Sequence, residues 1–166
     1  MSCSIYGFSL VFLYLMSTLY HAMARPGVKR VFQVFDHCSI FILILGSYAP
    51  ICLSLLGGRL GWALFGANCL FAALGVTANA ISVRRWHKLS LVLYLLMGWS
   101  VVLLIKPLLH RVALPGFFLL LGGGLCYTVG VLFYNAARPR FMHSVWHLFV
   151  LGGSALHYFF VLFFIL

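Results

Sequence analysis

The chain has 166 residues, 64% of them hydrophobic and 7% charged, and sets eleven Lys and Arg against a single acid for a net charge of +10. That composition excludes a soluble domain closed around one core and predicts a protein with apolar surface on all sides, embedded in a lipid bilayer. Nucleic-acid binding is excluded as well. The Lys and Arg fall in short clusters between long apolar runs, and no basic stripe with interleaved aromatics lies outside those runs.

Six segments reach the roughly 20 residues needed to cross about 30 Å of hydrocarbon. They run about 3–24, 36–57, 61–83, 87–106, 114–135 and 143–166. The predicted fold is an all-α polytopic transmembrane helix bundle, with residues 1–166 forming one transmembrane domain. The breaks carry loop chemistry at Arg25-Pro26-Gly27, Gly57-Gly58-Arg59, Arg84-Arg85, Lys106-Pro107, Pro115-Gly116 and Arg138-Pro139-Arg140. The first segment lacks the basic start and small-residue cleavage site of a secretory leader and is long enough to span. Near its end, Ser17 and His21 are four residues apart and share one helical face, with Tyr14 one turn further in. Taken alone, such a histidine reads as an interfacial residue bonding headgroups or a neighbouring helix.

The second segment opens at Phe35-Asp36-His37-Cys38, and Asp36 is the only carboxylate in the chain. An acid at the mouth of a membrane helix is costly unless something cationic faces it. His37 is expected to project about 100° from Asp36 and to be an interfacial or helix-packing residue. Further along, Ser47 returns to the Asp36 face, and Pro50 is expected to free a carbonyl and kink the helix. On the third segment, Asn68 and Asn79 are expected to bond between helices. Cys3, Cys38, Cys52, Cys69 and Cys126 have no C-x-x-C spacing and read as small buried hydrophobes. The glycine clusters at 122–124 and 152–153 suit close helix packing.

The last segment begins with His143-Ser144-Val145-Trp146-His147. Its i, i+4 spacing lets two imidazoles hold one ion from one helix. No glutamate lies between them, so this is not the H-E-x-x-H of zinc peptidases, and any base must come from elsewhere. Asp36 is the one carboxylate available. His21, His143 and His147 together make a three-histidine set with a fourth position open, as in a catalytic zinc centre. Asp36 could then bond the water or an imidazole, and Ser17 could add a hydrogen bond from the wall. His157, about 20 Å along the helix from His143, is too deep to share that site. It is either an interhelical hydrogen-bonder or part of a polar path.

With those residues in view, the chain resembles the haemolysin III branch of the progestin and adipoQ receptor (PAQR) superfamily over nearly its whole length. The likeness rests on several blocks in order. They are Ser17-Thr18-Leu19-Tyr20-His21, Phe35-Asp36-His37-Cys38 leading to Gly46-Ser47-Tyr48-Ala49-Pro50, Lys88-Leu89-Ser90-Leu91 with Met97-Gly98-Trp99, and His143 to Gly153. The resemblance implies a seven-helix architecture, of which this sequence starts at the second helix. It also implies a zinc near the cytoplasmic face on His21, His143 and His147, with Ser17 and Asp36 matching the family's serine and aspartate. Related enzymes cleave ceramide-like amides, which points to zinc-dependent hydrolysis of a lipid amide or ester as the expected function. Homologues are also described as receptors or membrane-homeostasis regulators, so a non-enzymatic protein with a structural zinc stands as the alternative. A cytolysin is a remote third.

Orientation follows from the loop charges. The first, third and fifth loops hold Arg25, Lys29, Arg30, Arg84, Arg85, Lys88, Arg138 and Arg140, against Arg59, Lys106 and Arg111 in the second and fourth. The positive-inside rule therefore puts the odd loops in the cytoplasm and the C-terminus outside, in a plasma or bacterial inner membrane. Tags inserted at residues 25–30 should be cytoplasmic and a tag after Leu166 external. A cytoplasmic C-terminus would overturn this orientation.

Overall fold

The computed structural model describes the backbone of residues 1–135 and 142–166 and the side chains of 1–134 and 144–166. The described chain is helical nearly throughout: α1 (Ser2–Ala22), α2 (Pro26–Ala49), a π-helical turn (Pro50–Leu56), α3 (Gly58–Trp99), a 3-10 stretch (Ser100–Leu104), α4 (Ile105–Leu109), α5 (Leu114–Asn135) and α6 (Met142–Phe164). The predicted break at Arg138-Pro139-Arg140 lies outside the described residues. The chain forms two compact units, Met1–Ser100 and Val101–Leu166.

Among the described residues, five helical stretches are long and apolar enough to cross a membrane, and one of them, Gly58–Leu109, runs for 52 residues. At 1.5 Å per residue that is about 78 Å, more than twice the hydrocarbon thickness. It does not run straight. Ser82 has extended backbone (φ −168°, ψ 106°) inside α3. Its hydroxyl accepts from the Arg85 N–H at 3.3 Å, capping a new helix. The Ser90 hydroxyl donates to Asn79 Oδ1 at 2.8 Å, although these residues would lie about 16 Å apart on a straight helix. Asn68 Nδ2 likewise donates to Ser100 Oγ at 2.9 Å. Both pairs centre close to Arg84, so α3 is an antiparallel hairpin of two limbs, 58–81 and 83–99. The third and fourth predicted segments are these limbs, and the two asparagines bond between them as expected.

The second predicted segment needs correction. Its helix begins at Pro26 and not near residue 36, with the proline where a missing N–H costs nothing. Asp36 therefore lies ten residues into α2, about 15 Å from its start. At the other end, Pro50 turns the α-helix into the π-helical turn, which closes with the Gly57 N–H donating to the Cys52 carbonyl at 3.0 Å. Gly57 and Gly58 both have φ near +60°, a conformation that favours glycine.

In the first unit α1 packs on α2, and α2 on α3. The buried face of α1 is Ser2, Tyr6, Ser9, Leu13 and Ser17, one residue per turn. Ser9 sits over Gly46 so closely that a Cβ there would collide with it, the small-on-small contact by which membrane helices approach. The core holds Phe41, Ala72, Leu93, Tyr94 and Met97. Phe41 lies over Gly75, where a Cβ would fall inside the ring.

In the second unit α5 and α6 form a pair. Glycines make room for aromatic rings here too: Gly123 faces His157, Gly153 faces Tyr127, and Gly130 faces Trp146 and Phe149. The two glycine clusters thus act in close packing, as predicted. His157 Nε2 and the Leu120 carbonyl lie 3.1 Å apart, and the Tyr127 and Ser154 hydroxyls are 2.9 Å apart. His157 is the interhelical hydrogen-bonder of the two readings the sequence allowed.

Gly75→Ala should cost about 1–3 kcal/mol by overpacking the Phe41 contact. Gly66, with nothing near its missing Cβ, should tolerate alanine within about 0.5 kcal/mol. Thermal or denaturant unfolding in detergent compares the two. Equal stability would contradict the Phe41–Gly75 packing.

Candidate functional site

Ser17 and His21 come from the last two turns of α1, and Asp36 comes from α2. The two helices are antiparallel across a short turn, and the Ser9–Gly46 contact fixes their register. From that contact Ser17 lies eight residues along α1 and Cys38 eight residues back along α2, roughly 12 Å each. Ser17 is therefore level with Cys38, His21 is level with about Val34, and Asp36 falls between them in depth. Two segments separated in sequence deliver a hydroxyl, a carboxylate and an imidazole to one level of the bundle. Ser17 is buried, Asp36 is partly buried and His21 is exposed.

The direction of Asp36 follows from its neighbours. Cys38 meets α3, its thiol lying 3.9 Å from the Val76 carbonyl. Asp36, two residues earlier, projects about 160° away from that contact, and about 80° from the line through Gly46 that meets α1. The carboxylate thus turns from α3 towards the α1 side. Its backbone carbonyl accepts the Ser39 hydroxyl at 2.6 Å, tying the helix at this point.

His37 stands closer to Asp36 than helical geometry alone suggests. Its Nδ1 lies 3.7 Å from Asp36 Oδ2 and 2.9 Å from the Gln33 carbonyl oxygen. The carbonyl at 2.9 Å takes the hydrogen bond, and the carboxylate at 3.7 Å is beyond it. The Tyr94 hydroxyl donates to the His37 carbonyl at 2.8 Å. His37 is thus anchored to its own helix and to the second limb of α3, the helix-packing one of the two roles expected of it.

His143 and His147 belong to the second unit. Because α6 starts at Met142, both positions fall in its first two turns, one turn apart. The side chain of His143 lies outside the described residues. Among the described residues, no three His, Cys, Asp or Glu group closely enough to hold a metal ion. The donor set still fits zinc in kind: three imidazoles, with a carboxylate level with the first of them. The tethers supplied by Tyr94, and by Tyr48, whose hydroxyl donates to the Gly98 carbonyl at 2.8 Å, were not singled out in the sequence. Nor was the Ser82 cap. Serine is a favoured N-cap residue, and that is the one sequence signal for it.

The fold defines a multi-pass helical membrane protein with a hydroxyl, a carboxylate and an imidazole at one depth near the end of its first helix pair. The Haemolysin-III related family matches residues 1–158, and the chain belongs to that family. It is 44% identical to Hemolysin-3 of Bacillus cereus over 98% of this chain and 74% of that protein. Identity to the Hemolysin-3 homolog of Bacillus subtilis (strain 168) is 40%, over 98% and 76%. The human monocyte to macrophage differentiation factor is 30% identical over 93% of this chain and 66% of its own length. These relatives confirm the wider PAQR superfamily as well as the branch. No solved structure matches the chain.

Proposed function

We propose that the protein is a zinc-dependent hydrolase of a lipid amide or ester, with His21, His143 and His147 as metal ligands, Asp36 as the acid–base residue and Ser17 as a hydrogen-bonding wall residue. The observation that carries the reading is the common depth of Ser17, Asp36 and His21, set by the Ser9–Gly46 contact. The zinc, when bound, would supply Lewis-acid polarisation of a carbonyl and ready ionisation of water near neutral pH.

The chain's own residues supply the rest. Asp36 is the only side-chain carboxylate and so the only one able to accept a proton there. Its tilt away from α3 leaves it facing the α1 side, where Ser17 stands at the same level. Ser17 is buried and can hold a substrate oxygen by a hydrogen bond. The apolar helix faces around this level suit a substrate with a polar head and a buried tail. A second reading, a receptor or membrane regulator in which zinc staples helices, is favoured by the name of one Drosophila melanogaster relative, adiponectin receptor protein, at 23% identity.

Asp36→Asn separates the two readings. The amide is nearly isosteric and keeps a hydrogen bond but cannot take a proton, so hydrolysis of a short-chain ceramide-like amide in detergent should fall about 10²–10⁴-fold at equal zinc occupancy. Equal rates would remove Asp36 as the base. No turnover by either form, with zinc fully bound, would favour the receptor reading.

A further inference from the structure

One cation near the level of Ser17, Asp36 and His21 has no part in the proposed chemistry. Tyr20 projects within about 20° of Ser9 on α1, so it faces α2 along the line of the Ser9–Gly46 contact. The Lys29 ammonium lies 5.5 Å from the centre of the Tyr20 ring, and the Tyr20 and His21 ring centres are 4.8 Å apart. The ammonium is therefore no more than about 10 Å from the centre of the His21 ring. On α2, Lys29 comes seven residues before Asp36, so the two project within about 20° of each other and stand about 10 Å apart along the axis. The cation thus lies one short step from both the imidazole and the carboxylate, on the side of the Arg25–Pro26 turn.

This charge is held in place without being neutralised. An aromatic face steadies an ammonium by its quadrupole and leaves the charge intact. The chain's one acid, Asp36, has His37 at 3.7 Å as its ion-pair neighbour, and Lys29 has no ion pair among the described residues. Arg25 and Arg30 are exposed close by, and residues 1–35 contain no acid, so the local field is positive. Lysine binds phosphate as a point charge. Val28, Val31 and Phe35 expose apolar side chains on the same turns, which suits a ligand with acyl chains over a free solute.

We infer that Lys29 recognises the headgroup of the site's lipid, and that this lipid carries a phosphate a few bonds from the amide or ester carbonyl. With the carbonyl at the level of Asp36 and His21, the headgroup extends towards the Arg25–Pro26 turn and the Lys29 ammonium donates to its phosphate oxygens. Placing the carbonyl at Asp36 rests on the hydrolase reading, whereas recognition of the charge needs only a lipid at that level.

The test is equilibrium binding of a fluorescent short-chain ceramide phosphate, and of the matching ceramide, to the full chain in neutral detergent, read by anisotropy. Wild type should bind the phosphorylated lipid more tightly. Lys29→Gln should cut that preference about tenfold, as loss of a hydrogen bond to a charged group does, and should bind ceramide as wild type does. Lys29→Arg should keep the preference, and so should Arg30→Gln, which removes an equal charge about 100° round the helix. No preference in wild type, full preference in Lys29→Gln, or loss in Lys29→Arg as large as in Lys29→Gln overturns the assignment. An equal loss in Arg30→Gln would leave only diffuse surface charge, and lost ceramide binding in Lys29→Gln would make Lys29 structural; either overturns it too. Displacement of the lipid by inorganic phosphate at constant ionic strength would identify a soluble-anion site and refute the lipid. Because binding needs no turnover, an absence of hydrolysis would remove the proposed reaction and leave a Lys29-dependent preference standing.

Discussion

Hydrocarbon offers a polar side chain no partner, so the hydroxyls, amides and imidazoles on these helices have to be satisfied by other parts of the same chain. That constraint fixes the path of the first unit. Asn79 with Ser90 and Asn68 with Ser100 fold a 52-residue helical stretch back on itself at Ser82. Tyr94, donating to the His37 carbonyl, and Tyr48, donating to the Gly98 carbonyl, then tie the second limb to α2. Each bond is of modest worth, about 0.6 kcal/mol on average in membrane proteins. Their effect is to set register, because any slip would strand a buried polar group in lipid.

Register is also what the candidate site depends on. Ser9 can sit against α2 only where Gly46 leaves space, and that single contact places Ser17 and His21 at the level of Asp36. The same logic works in the second unit, where Gly123 and Gly153 admit the His157 and Tyr127 rings. The glycines there are spacers for polar aromatic contacts.

Much of this was legible in the sequence, for physical reasons that can be named. Apolar run length predicted the spanning helices, and α5, Leu114–Asn135, came out as read. The branch and superfamily were legible from ordered blocks such as Ser17 to His21 and His143 to Gly153. Two boundaries were misplaced because charge was taken as loop. Lys29 and Arg30 sit on the first turns of α2, where Pro26 starts the helix, and Arg84 and Arg85 sit on the second limb of α3, where Ser82 had already broken the first. The ring-to-carboxylate approach of His37 was invisible too, because it depends on rotamers and not on helical phase. That the N–H groups of Asn79 and Trp86 lack a partner among the described residues appears only when the seam between the limbs is built.

The proposed function turns on one zinc ion bound by His21, His143 and His147. Zinc content of the purified full chain tests it most directly, by elemental mass spectrometry on wild type, His21→Ala and His147→Ala. About one zinc per chain is expected in wild type, with loss in each variant, because a three-ligand site has no spare donor. Zinc retained at the wild-type level in both variants would contradict it.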